Sequence, residues 1–387
     1  FRRVLFRSPI IGQWCLLELV PIKYPINPKT TAINVIGNQF SLSDFIIYVL
    51  VNARQIYIFY LFIFKKSMKL KWLIYLFFIC FFNIVLSQVS EVIEFESANP
   101  FSMSDVINRL EDQEKIKVFG KLTLPSKDNV EKLPLIIGVA GSLGWREHHY
   151  DYLKMFQDEG YATFELNSFK SRNITSTVGS QVEVTASAMI LDAYRALEKL
   201  SNDPRIDKNR VSIIGWSLGG AVSLFSGWLP LKNAITKKVS FASHLAFYPP
   251  CFIDPENTDF TQSPIHILIG ELDDWTPADP CDMFVNKLSK KANINLTVYE
   301  NSHHGFDSEE PIVFNEKGYS FKDCLFRLDE DGDVLMNFLS LSMSSPLMQK
   351  FGFLFCVERG VNIGGNPEAR KKSFEFASSF MSKTLMN

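Results

Sequence analysis

The stretch Val211-Ser-Ile-Ile-Gly215-Trp216-Ser217-Leu218-Gly219-Gly220-Ala221 decides the fold. A β-rich apolar run leads into a G-x-S-x-G pattern, and small residues follow it. Small residues let the backbone turn sharply and let a helix approach closely, and a helix N-terminus favours negative charge that develops beside it. The pattern predicts a strand, a nucleophile elbow that carries Ser217, and then a helix. The alternative is an ordinary glycine-rich turn between strand and helix.

Strand and helix patterns alternate on both sides of this stretch, from Lys115 to Asn301. Several strand patterns are continuous apolar runs, as expected of strands covered on both faces. The alternation indicates an α/β fold with a mainly parallel central sheet and helices on both faces. The predicted strands are Ile116–Leu124, Leu135–Val139, Ala162–Leu166, Val211–Ile214, Leu245–Tyr248, Ile265–Ile269 and Leu296–Tyr299. The predicted helices are Tyr150–Glu159, Val184–Leu200, Leu218–Ser226, Ala278–Lys291 and, after an irregular insertion at about 308–366, Pro367–Leu385.

A serine hydroxyl alone is a poor nucleophile, so an orienting acid and a base are expected further along the chain, in that order. The acidic loop Gly270-Glu-Leu-Asp273-Asp274-Trp275-Thr-Pro277 follows an apolar strand, and Asp273 lies 56 residues after Ser217. A histidine pair, His303-His304, follows the last strand of the alternating region. The alternative for the two aspartates is that they are solvated turn residues.

These motifs resemble those of the dienelactone hydrolase family within the α/β-hydrolase fold. Gly270-x-x-Asp273-Asp-Trp-Thr-Pro277 and His304-Gly-Phe-Asp307 match the acid and histidine signatures of that family. The glycine-rich segment that begins at Gly364, with the helix that follows it, also looks like the end of the family's domain. The resemblance covers roughly Ile116 to Leu385.

The resemblance implies a role for each residue of the site. Ser217 is the nucleophile, His304 is the base, and Asp273 orients the imidazole, while Asp274 and His303 become neighbours. The implied reaction is transfer of an acyl group to water, with a small-molecule ester or lactone as the partner and no metal or organic cofactor.

Two backbone N–H groups are expected to form the oxyanion hole. One belongs to Leu218, and the other lies in the glycine-rich loop after the second predicted strand, where Ser142 is the candidate. Many relatives carry His-Gly in place of Ala140-Gly141, but a backbone N–H does not depend on that side chain. The alternative, a nucleotide phosphate on this loop, fits poorly because the glycine spacing is not G-x-G-x-x-G.

Two departures from the family pattern concern the substrate. The best-known relatives use a cysteine nucleophile where this chain has Ser217, and their glutamate of the oxyanion loop is absent at Gly141. These departures favour a serine carboxylic-ester hydrolase over a true dienelactonase. Trp216, Arg172 and Trp275 are candidates for contacting substrate, and the alternative for Arg172 is capping of a loop.

The composition suits a globular protein with no preference for nucleic acid. The chain has 387 residues, of which 47% are hydrophobic and 21% charged. Forty basic against 42 acidic side chains give a net charge of −2 and a pI near 6.4. Nothing in this balance attracts nucleic acid or anionic lipid.

The first 87 residues differ in kind from the rest. Phe1–Ser8 looks like a translated sequencing adapter, and residues 9–67 read as translated upstream DNA or as disorder, with a membrane helix across Asp44–Phe64 as the alternative. Residues 68–87 have the basic start, apolar run and small terminal residues of a signal peptide cleaved after Ser87, with an uncleaved anchor as the alternative. Residues 88–387 are then one secreted or periplasmic domain without stable membrane association.

Cysteine usage fits that compartment. Two of the six cysteines lie in the discarded region, which leaves Cys251, Cys281, Cys324 and Cys356. Proximity in sequence favours the pairs Cys251–Cys281 and Cys324–Cys356, although three pairings, or four free thiols, are open. No cysteine–histidine spacing typical of zinc occurs among them.

The remaining polar clusters are interpreted as structural. The pair His148-His149 is expected at a helix N-terminus rather than on a metal, and His244 and His266 are expected as hydrogen-bonded strand residues. Residues 329–333 resemble a calcium loop but lack the bidentate glutamate at the twelfth position, so a hairpin turn is predicted.

Three other functions stay open. A serine peptidase of the prolyl-oligopeptidase type shares the catalytic arrangement, but the roughly 27 residues before the first strand leave no room for its propeller. A non-catalytic exported binding protein could keep the fold, and an uncleaved leader would make the chain a membrane-anchored interaction protein. A complete, correctly ordered triad favours the hydrolase.

Overall fold

The computed structural model describes residues 2–7, 14–19, 89–125, 131–336 and 339–386. The chain divides into two compact units, Phe1–Ile84 and Val85–Asn387. In the first unit, β1 (Arg2–Arg7) pairs antiparallel with β2 (Trp14–Leu19). The predicted leader at residues 68–87 and the alternative membrane helix lie outside the described residues. Within the described ranges, no helix is long and apolar enough to cross a membrane.

An eight-stranded sheet forms the centre of the second unit. Its strands are β3 (Ser90–Ala98), β4 (Lys115–Thr123), β5 (Leu133–Val139), β6 (Ala162–Leu166), β7 (Ile206–Trp216), β8 (Ser243–Phe247), β10 (Ile265–Gly270) and β11 (Ile294–Tyr299), with the short β9 (Ile253–Pro255) outside the sheet. The order is β11-β10-β8-β7-β5-β6-β4-β3, in which β4 runs antiparallel to both of its neighbours, β3 and β6, and all the other neighbouring strands pair in parallel. The order reverses beside β5, so the loops after β5 and β7 leave the sheet at a topological switch point.

Helices cover both faces of the sheet. They are α1 (Met103–Arg109), α2 (Glu147–Glu159), α3 (Ala186–Leu200), α4 (Leu218–Phe225), α5 (Leu229–Ile235), α6 (Ala278–Leu288), α7 (Pro346–Phe353) and α8 (Pro367–Leu385). Successive residues of a strand point to opposite faces. On β8, the Ser243 hydroxyl meets Thr384 of α8, whereas Nδ1 of the next residue, His244, meets Ser226 at the end of α4.

The parallel strands are buried because their residues are almost entirely apolar. All seven residues of β5 are buried, and so are the last six of β7. The α/β-hydrolase fold and all seven strands and five helices predicted from the pattern are confirmed, mostly with shifts of a few residues at their ends. The edge strand β3 was missed because its residues alternate between exposed positions and half-buried or buried ones along most of its length, which gives a weaker signal than a buried run.

The predicted irregular insertion is instead an ordered subdomain. Its β12 (Val313–Ser320) pairs antiparallel with β15 (Glu358–Ile363), and β13 (Phe326–Leu328) pairs with β14 (Val334–Leu335) and with β9. Residues 329–333 form the predicted hairpin turn, in which Asp329 N donates to Asp333 O. The pattern did not reveal these strands because β13 and β14 are only three and two residues long, and half of the residues of β12 are exposed.

The insertion has its own apolar core, which packs on the main domain. Tyr319, Phe321, Phe326, Met343 and Val361 are buried there together with Phe252 and Trp275 from the loops of the main domain. The rings of Phe252 and Phe321 stack with centroids 4.5 Å apart. The insertion is therefore fixed to the edge of the sheet where the strands end.

Both predicted disulfides are present. The bond Cys251–Cys281 joins the loop after β8 to the first turn of α6, and its Cα atoms are 4.9 Å apart. The bond Cys324–Cys356 closes the insertion on itself, with Cα atoms 5.0 Å apart. All of these cysteines except Cys356 are buried.

Removing Cys251–Cys281 should destabilise the domain. The bond closes a sequence separation of 30 residues, and in the chain-entropy description such a loop contributes roughly 3.6 kcal/mol. We expect the double variant C251A/C281A to lose about that much free energy of unfolding in a non-reducing denaturant titration. C324A/C356A, with a nearly equal separation of 32 residues, is the matched comparison. Unchanged unfolding of the first variant would contradict the expected contribution.

Candidate active site

Ser217 occupies a sharp turn between β7 and α4. Its backbone lies at φ +55° and ψ −114°, a conformation that residues with a side chain rarely adopt. The surrounding hydrogen bonds hold it there, because Ser217 N donates to Phe247 O at 2.9 Å and Ala221 N donates to Ser217 O at 2.9 Å. The strained turn is fixed by its neighbours and lifts the hydroxyl out of the sheet.

The glycines of the motif permit this turn through close backbone approaches. A Cβ on Gly215 would lie 1.9 Å from Gly219 O, and a Cβ on Gly219 would lie 2.1 Å from Val139 O. Neither position can hold a side chain without moving the backbone. Gly215 lets α4 pack closely against β7, and Gly219 lets it pack closely against the end of β5.

Three side chains from three separate loops form one hydrogen-bonded chain. Nε2 of His304 lies 3.0 Å from Ser217 Oγ, and its Nδ1 lies 2.8 Å from Asp273 Oδ2. Asp273 and His304 are each 3% exposed. With Nδ1 protonated and donating to the carboxylate, Nε2 is free to accept the serine proton. The predicted nucleophile, base and acid are thus brought together in hydrogen-bonding order.

The acid loop holds Asp273 in place through its own backbone. Oδ1 accepts hydrogen bonds from Trp275 N at 2.9 Å and from Thr276 N at 2.8 Å, which leaves Oδ2 for the histidine. The Thr276 hydroxyl donates to Tyr248 O at 3.0 Å and so anchors the loop to the end of β8.

The neighbouring Asp274 faces the insertion. Its Oδ1 accepts from Asn362 N at 2.8 Å, and its Oδ2 accepts from Asn362 Nδ2 at 2.7 Å. These contacts tie the acid loop to β15. Asp273 is therefore the carboxylate that contacts the histidine, whereas Asp274 holds the acid loop and β15 together.

A sequence model of the dienelactone hydrolase family matches residues 121–323, which is just over half of the chain. The chain belongs to the dienelactone hydrolase family. No curated protein sequence matches it.

Solved structures that resemble the chain include three hydrolases of low identity. A dienelactone hydrolase-like promiscuous phosphotriesterase from metagenomic libraries is 14% identical, with a TM-score of 0.44 over 76% of this chain and 98% of that one. An esterase of Pyrococcus furiosus is 19% identical, with a TM-score of 0.40 over 57% and 85%. An acylaminoacyl peptidase of Pyrococcus horikoshii is 14% identical, with a TM-score of 0.41, and the match spans 59% of this chain but 39% of the peptidase.

Two cavities of this dienelactone hydrolase family member meet at Ser217. The larger, of about 150 Å³, is lined by α4, the acid loop and the insertion. The smaller, of about 50 Å³, is lined by the glycine-rich loop after β5, by His304 and by the side chains of Arg146 and Glu310. Ser142 and Trp275 also line both cavities.

The predicted oxyanion-hole residues lie beside the nucleophile. Leu218 is the first residue of α4, and it lines the larger cavity together with Ser142. The loop of Ser142 is fixed, because Thr177 N donates to Ser142 O at 3.0 Å and the Ser142 hydroxyl donates to Gln181 Oε1 at 3.1 Å. Whether their N–H groups bind an oxyanion stays a prediction.

The two tryptophan candidates differ in position. Trp275 lines both cavities, and its ring centroid lies 4.9 Å from that of His304. Trp216 is 1% exposed, and its indole Nε1 donates to Asp307 Oδ2 at 3.1 Å. It borders the smaller cavity but is mainly a core residue that supports the turn at Ser217.

Sequence reasoning assigned no role to the buried pair Asp307 and Tyr248. The Tyr248 hydroxyl donates to Asp307 Oδ1 at 2.9 Å, and its ring lies 4.5 Å from that of His304. Burial, followed by the charge of Asp307, raises the pKa of Tyr248 well above its usual value, so the phenol keeps its proton. In the sequence, the one indication of this pair was Asp307, a charged residue within the motif that begins at His304.

The histidine pair lies in the first turn of α2, at the predicted helix N-terminus. His149 stacks on Trp216 with ring centroids 4.4 Å apart, and its Nδ1 accepts from Arg146 N at 3.2 Å. Burial lowers the pKa of His149 and that of His148, so both are neutral near pH 7. Within the described parts of the chain, no group of three or more His, Cys, Asp or Glu side chains could hold a metal ion.

Arg172 is not positioned to contact substrate. Its guanidinium pairs with Asp192 at 2.7 Å and donates to Ser168 O and Ala98 O, and the two charged side chains are only 7% and 0% exposed. These contacts tie the loop after β6 to α3 and to β3. The structure thus contradicts the substrate-binding interpretation and supports the capping alternative, because every direction of the guanidinium fork is already occupied by protein.

Replacing Arg172 should therefore affect stability rather than substrate binding. R172A leaves Asp192 as an unpaired buried charge, which costs roughly 3–5 kcal/mol. R195A is the matched control, because the Arg195–Glu198 pair is about 30% exposed and such pairs contribute about 0–1 kcal/mol. Denaturant titration measures both variants. If R172A raised KM without changing the free energy of unfolding, Arg172 would bind substrate after all.

Proposed function

We propose that this protein is a serine hydrolase that cleaves carboxylic esters or lactones through an acyl-enzyme. The observation that carries the proposal is the hydrogen-bonded chain from Asp273 through His304 to Ser217, with distances of 2.8 and 3.0 Å. The family to which the chain belongs supports hydrolysis as the class of reaction.

The first half of the proposed reaction forms the acyl-enzyme. Ser217 Oγ attacks the ester carbonyl carbon while Nε2 of His304 takes its proton, and the carbonyl oxygen becomes an oxyanion. The N–H groups of Leu218 and Ser142 bind that oxygen. When the tetrahedral intermediate collapses, the bond to the leaving-group oxygen breaks, and His304 gives its proton to that oxygen.

The second half repeats these steps with water. His304 takes a proton from the water that attacks the acyl carbon, and the ester bond to Ser217 breaks as Oγ regains a proton. The buried Asp273 carboxylate stabilises the imidazolium in both halves and keeps the ring oriented. The free acid leaves, and every proton is returned without a metal or an organic cofactor.

Active-site labelling separates this proposal from a non-catalytic binding protein. A fluorophosphonate reacts with an activated serine and leaves an unactivated one unchanged. We expect a single adduct on Ser217 by peptide mass spectrometry. A peptidase of the prolyl-oligopeptidase type would also be labelled, and hydrolysis of peptide anilides faster than of p-nitrophenyl esters would favour it.

Variants of the triad test the assigned roles. S217A and H304A should each lower kcat for p-nitrophenyl acetate on the order of 10³-fold or more, because the three groups act as a unit. D273N should lower it on the order of 10³-fold, because an amide cannot hold the required tautomer of His304. D274N is the matched control and should have a mild effect, since Asp274 contacts Asn362 instead. A more damaging D274N would refute the assignment of the acid.

We also propose that the domain is exported. Its two disulfides support this, because such bonds persist in oxidising compartments. Expressed from Met68, the protein should lose residues 68–87, about 2 kDa, and begin at Gln88. Mass spectrometry of the secreted product measures this, with a chain that starts at Gln88 and stays in the cytoplasm as the reduced control. An intact leader with four free thiols would contradict export.

A further inference from the structure

The larger cavity beside Ser217 has a mostly apolar, uncharged wall. The large apolar side chains in its wall include Phe225, Phe252, Phe321, Phe326, Met343 and Phe353. Of the described residues that line it, none carries a charge. The cavity therefore disfavours an anionic or cationic group, which would lose its hydration without gaining an oppositely charged partner.

The size and rigidity of this cavity limit what it can hold. Its volume of about 150 Å³ equals that of an engineered apolar cavity that takes up a benzene ring. Its outer wall belongs to the insertion, which the Cys324–Cys356 bond closes and the Phe252–Phe321 stack holds against the main domain. A ring or a short branched chain fits such a space without rearrangement.

The smaller cavity beside Ser217 differs from the larger one in having charged residues in its wall. Arg146 and Glu310 form an ion pair at its edge. Nε2 of His148 is buried there without a hydrogen-bond partner among the described residues, 3.9 Å from Asp307 Oδ1. Its volume of about 50 Å³ admits only a few atoms. This cavity suits a compact polar group.

The position of His304 decides which half of an ester each cavity receives. His304 must give its proton to the leaving-group oxygen, so the leaving group lies on its side of the serine. His304 lines the smaller cavity and is not among the described residues that line the larger one, whose wall includes α4 and the insertion. The acyl group is then directed into the larger cavity.

We propose that the enzyme is selective for esters with an uncharged apolar acyl group about the size of a phenyl ring and a small polar or short-chain alcohol. This inference rests on the proposed esterase function and adds the orientation and class of its substrate. Dienelactone-type anionic acyl groups are excluded by the same uncharged wall.

A pair of isomeric esters tests the orientation directly. Methyl phenylacetate and benzyl acetate contain the same atoms, but the ring belongs to the acyl group in the first and to the alcohol in the second. We expect kcat/KM to favour methyl phenylacetate on the order of 10- to 100-fold, the ratio that burial of one apolar side group supports. Equal rates, or a preference for benzyl acetate, would overturn the proposal.

The same assay distinguishes failure of this inference from failure of the esterase proposal. Hydrolysis of p-nitrophenyl acetate and fluorophosphonate labelling of Ser217 report the reaction itself. If both occur while the isomers are not discriminated, the esterase stands and the acyl cavity is wrong. If neither occurs, both proposals are overturned.

A matched pair of variants locates the selectivity in the cavity. Val334 of β14 lines the larger cavity, whereas Val313 of β12 belongs to the same insertion but is 53% exposed. V334F should lower the ratio of kcat/KM for methyl phenylacetate to that for methyl acetate about tenfold or more, by occupying the ring's space. V313F should keep the wild-type ratio. If V334F melts cooperatively but keeps the wild-type ratio, the acyl group does not bind in this cavity. If V334F does not fold, the isomeric esters still test the proposal on the unmodified protein.

Discussion

The strained, positive-φ conformation of Ser217 is the constraint on which the rest of the site depends. A residue with a side chain stays at φ +55° only if its neighbours fix it, and here the ends of β5, β7 and β8 all take part. The glycines at 215 and 219 let α4 approach the sheet, and Phe247 O accepts the serine N–H. The nucleophile is thus placed by backbone packing, before any polar side chain contributes.

The polar side chains add a second layer that links the loops to one another. Thr276 anchors the acid loop to the end of β8, and Tyr248 at that same end donates to Asp307 beyond the histidine. Trp216, which immediately precedes the nucleophile, donates to the other oxygen of Asp307. Movement of the serine turn or of the histidine loop would break a buried hydrogen bond, so the three loops hold one arrangement together.

The sequence was sufficient for what depends on local pattern. The elbow, the acid loop and the histidine loop each lie at the end of an apolar run, and a strand that ends at the carboxyl edge of a parallel sheet brings its loop to the same place. Arg172 and Asp307 show what local pattern cannot reveal. Their partners, Asp192, Trp216 and Tyr248, are 20 to 91 residues away in sequence, so only the folded contacts separate a structural charge from a substrate contact. The strands of the insertion could not be predicted for a related reason, since Phe252 and Trp275 from loops of the main domain complete their apolar core.

The insertion also connects stability to specificity. Asn362 of β15 binds Asp274 through both its backbone and its side chain, so the insertion, whose other segments wall the apolar cavity, also holds the loop that carries Asp273. Cys281, in the first turn of α6, is bonded to Cys251 in the loop after β8. Thr276 of the acid loop donates a hydrogen bond to Tyr248 O, at the beginning of that same loop. Because the cavity wall and the acid loop share these attachments, a change that loosens the insertion acts on both. The enlarged cavity would accept larger acyl groups, while the less constrained Asp273 would orient His304 less well. Broader specificity reached through this insertion is therefore expected to carry a loss of turnover, whereas a change confined to the cavity wall, such as that at Val334, alters selectivity alone.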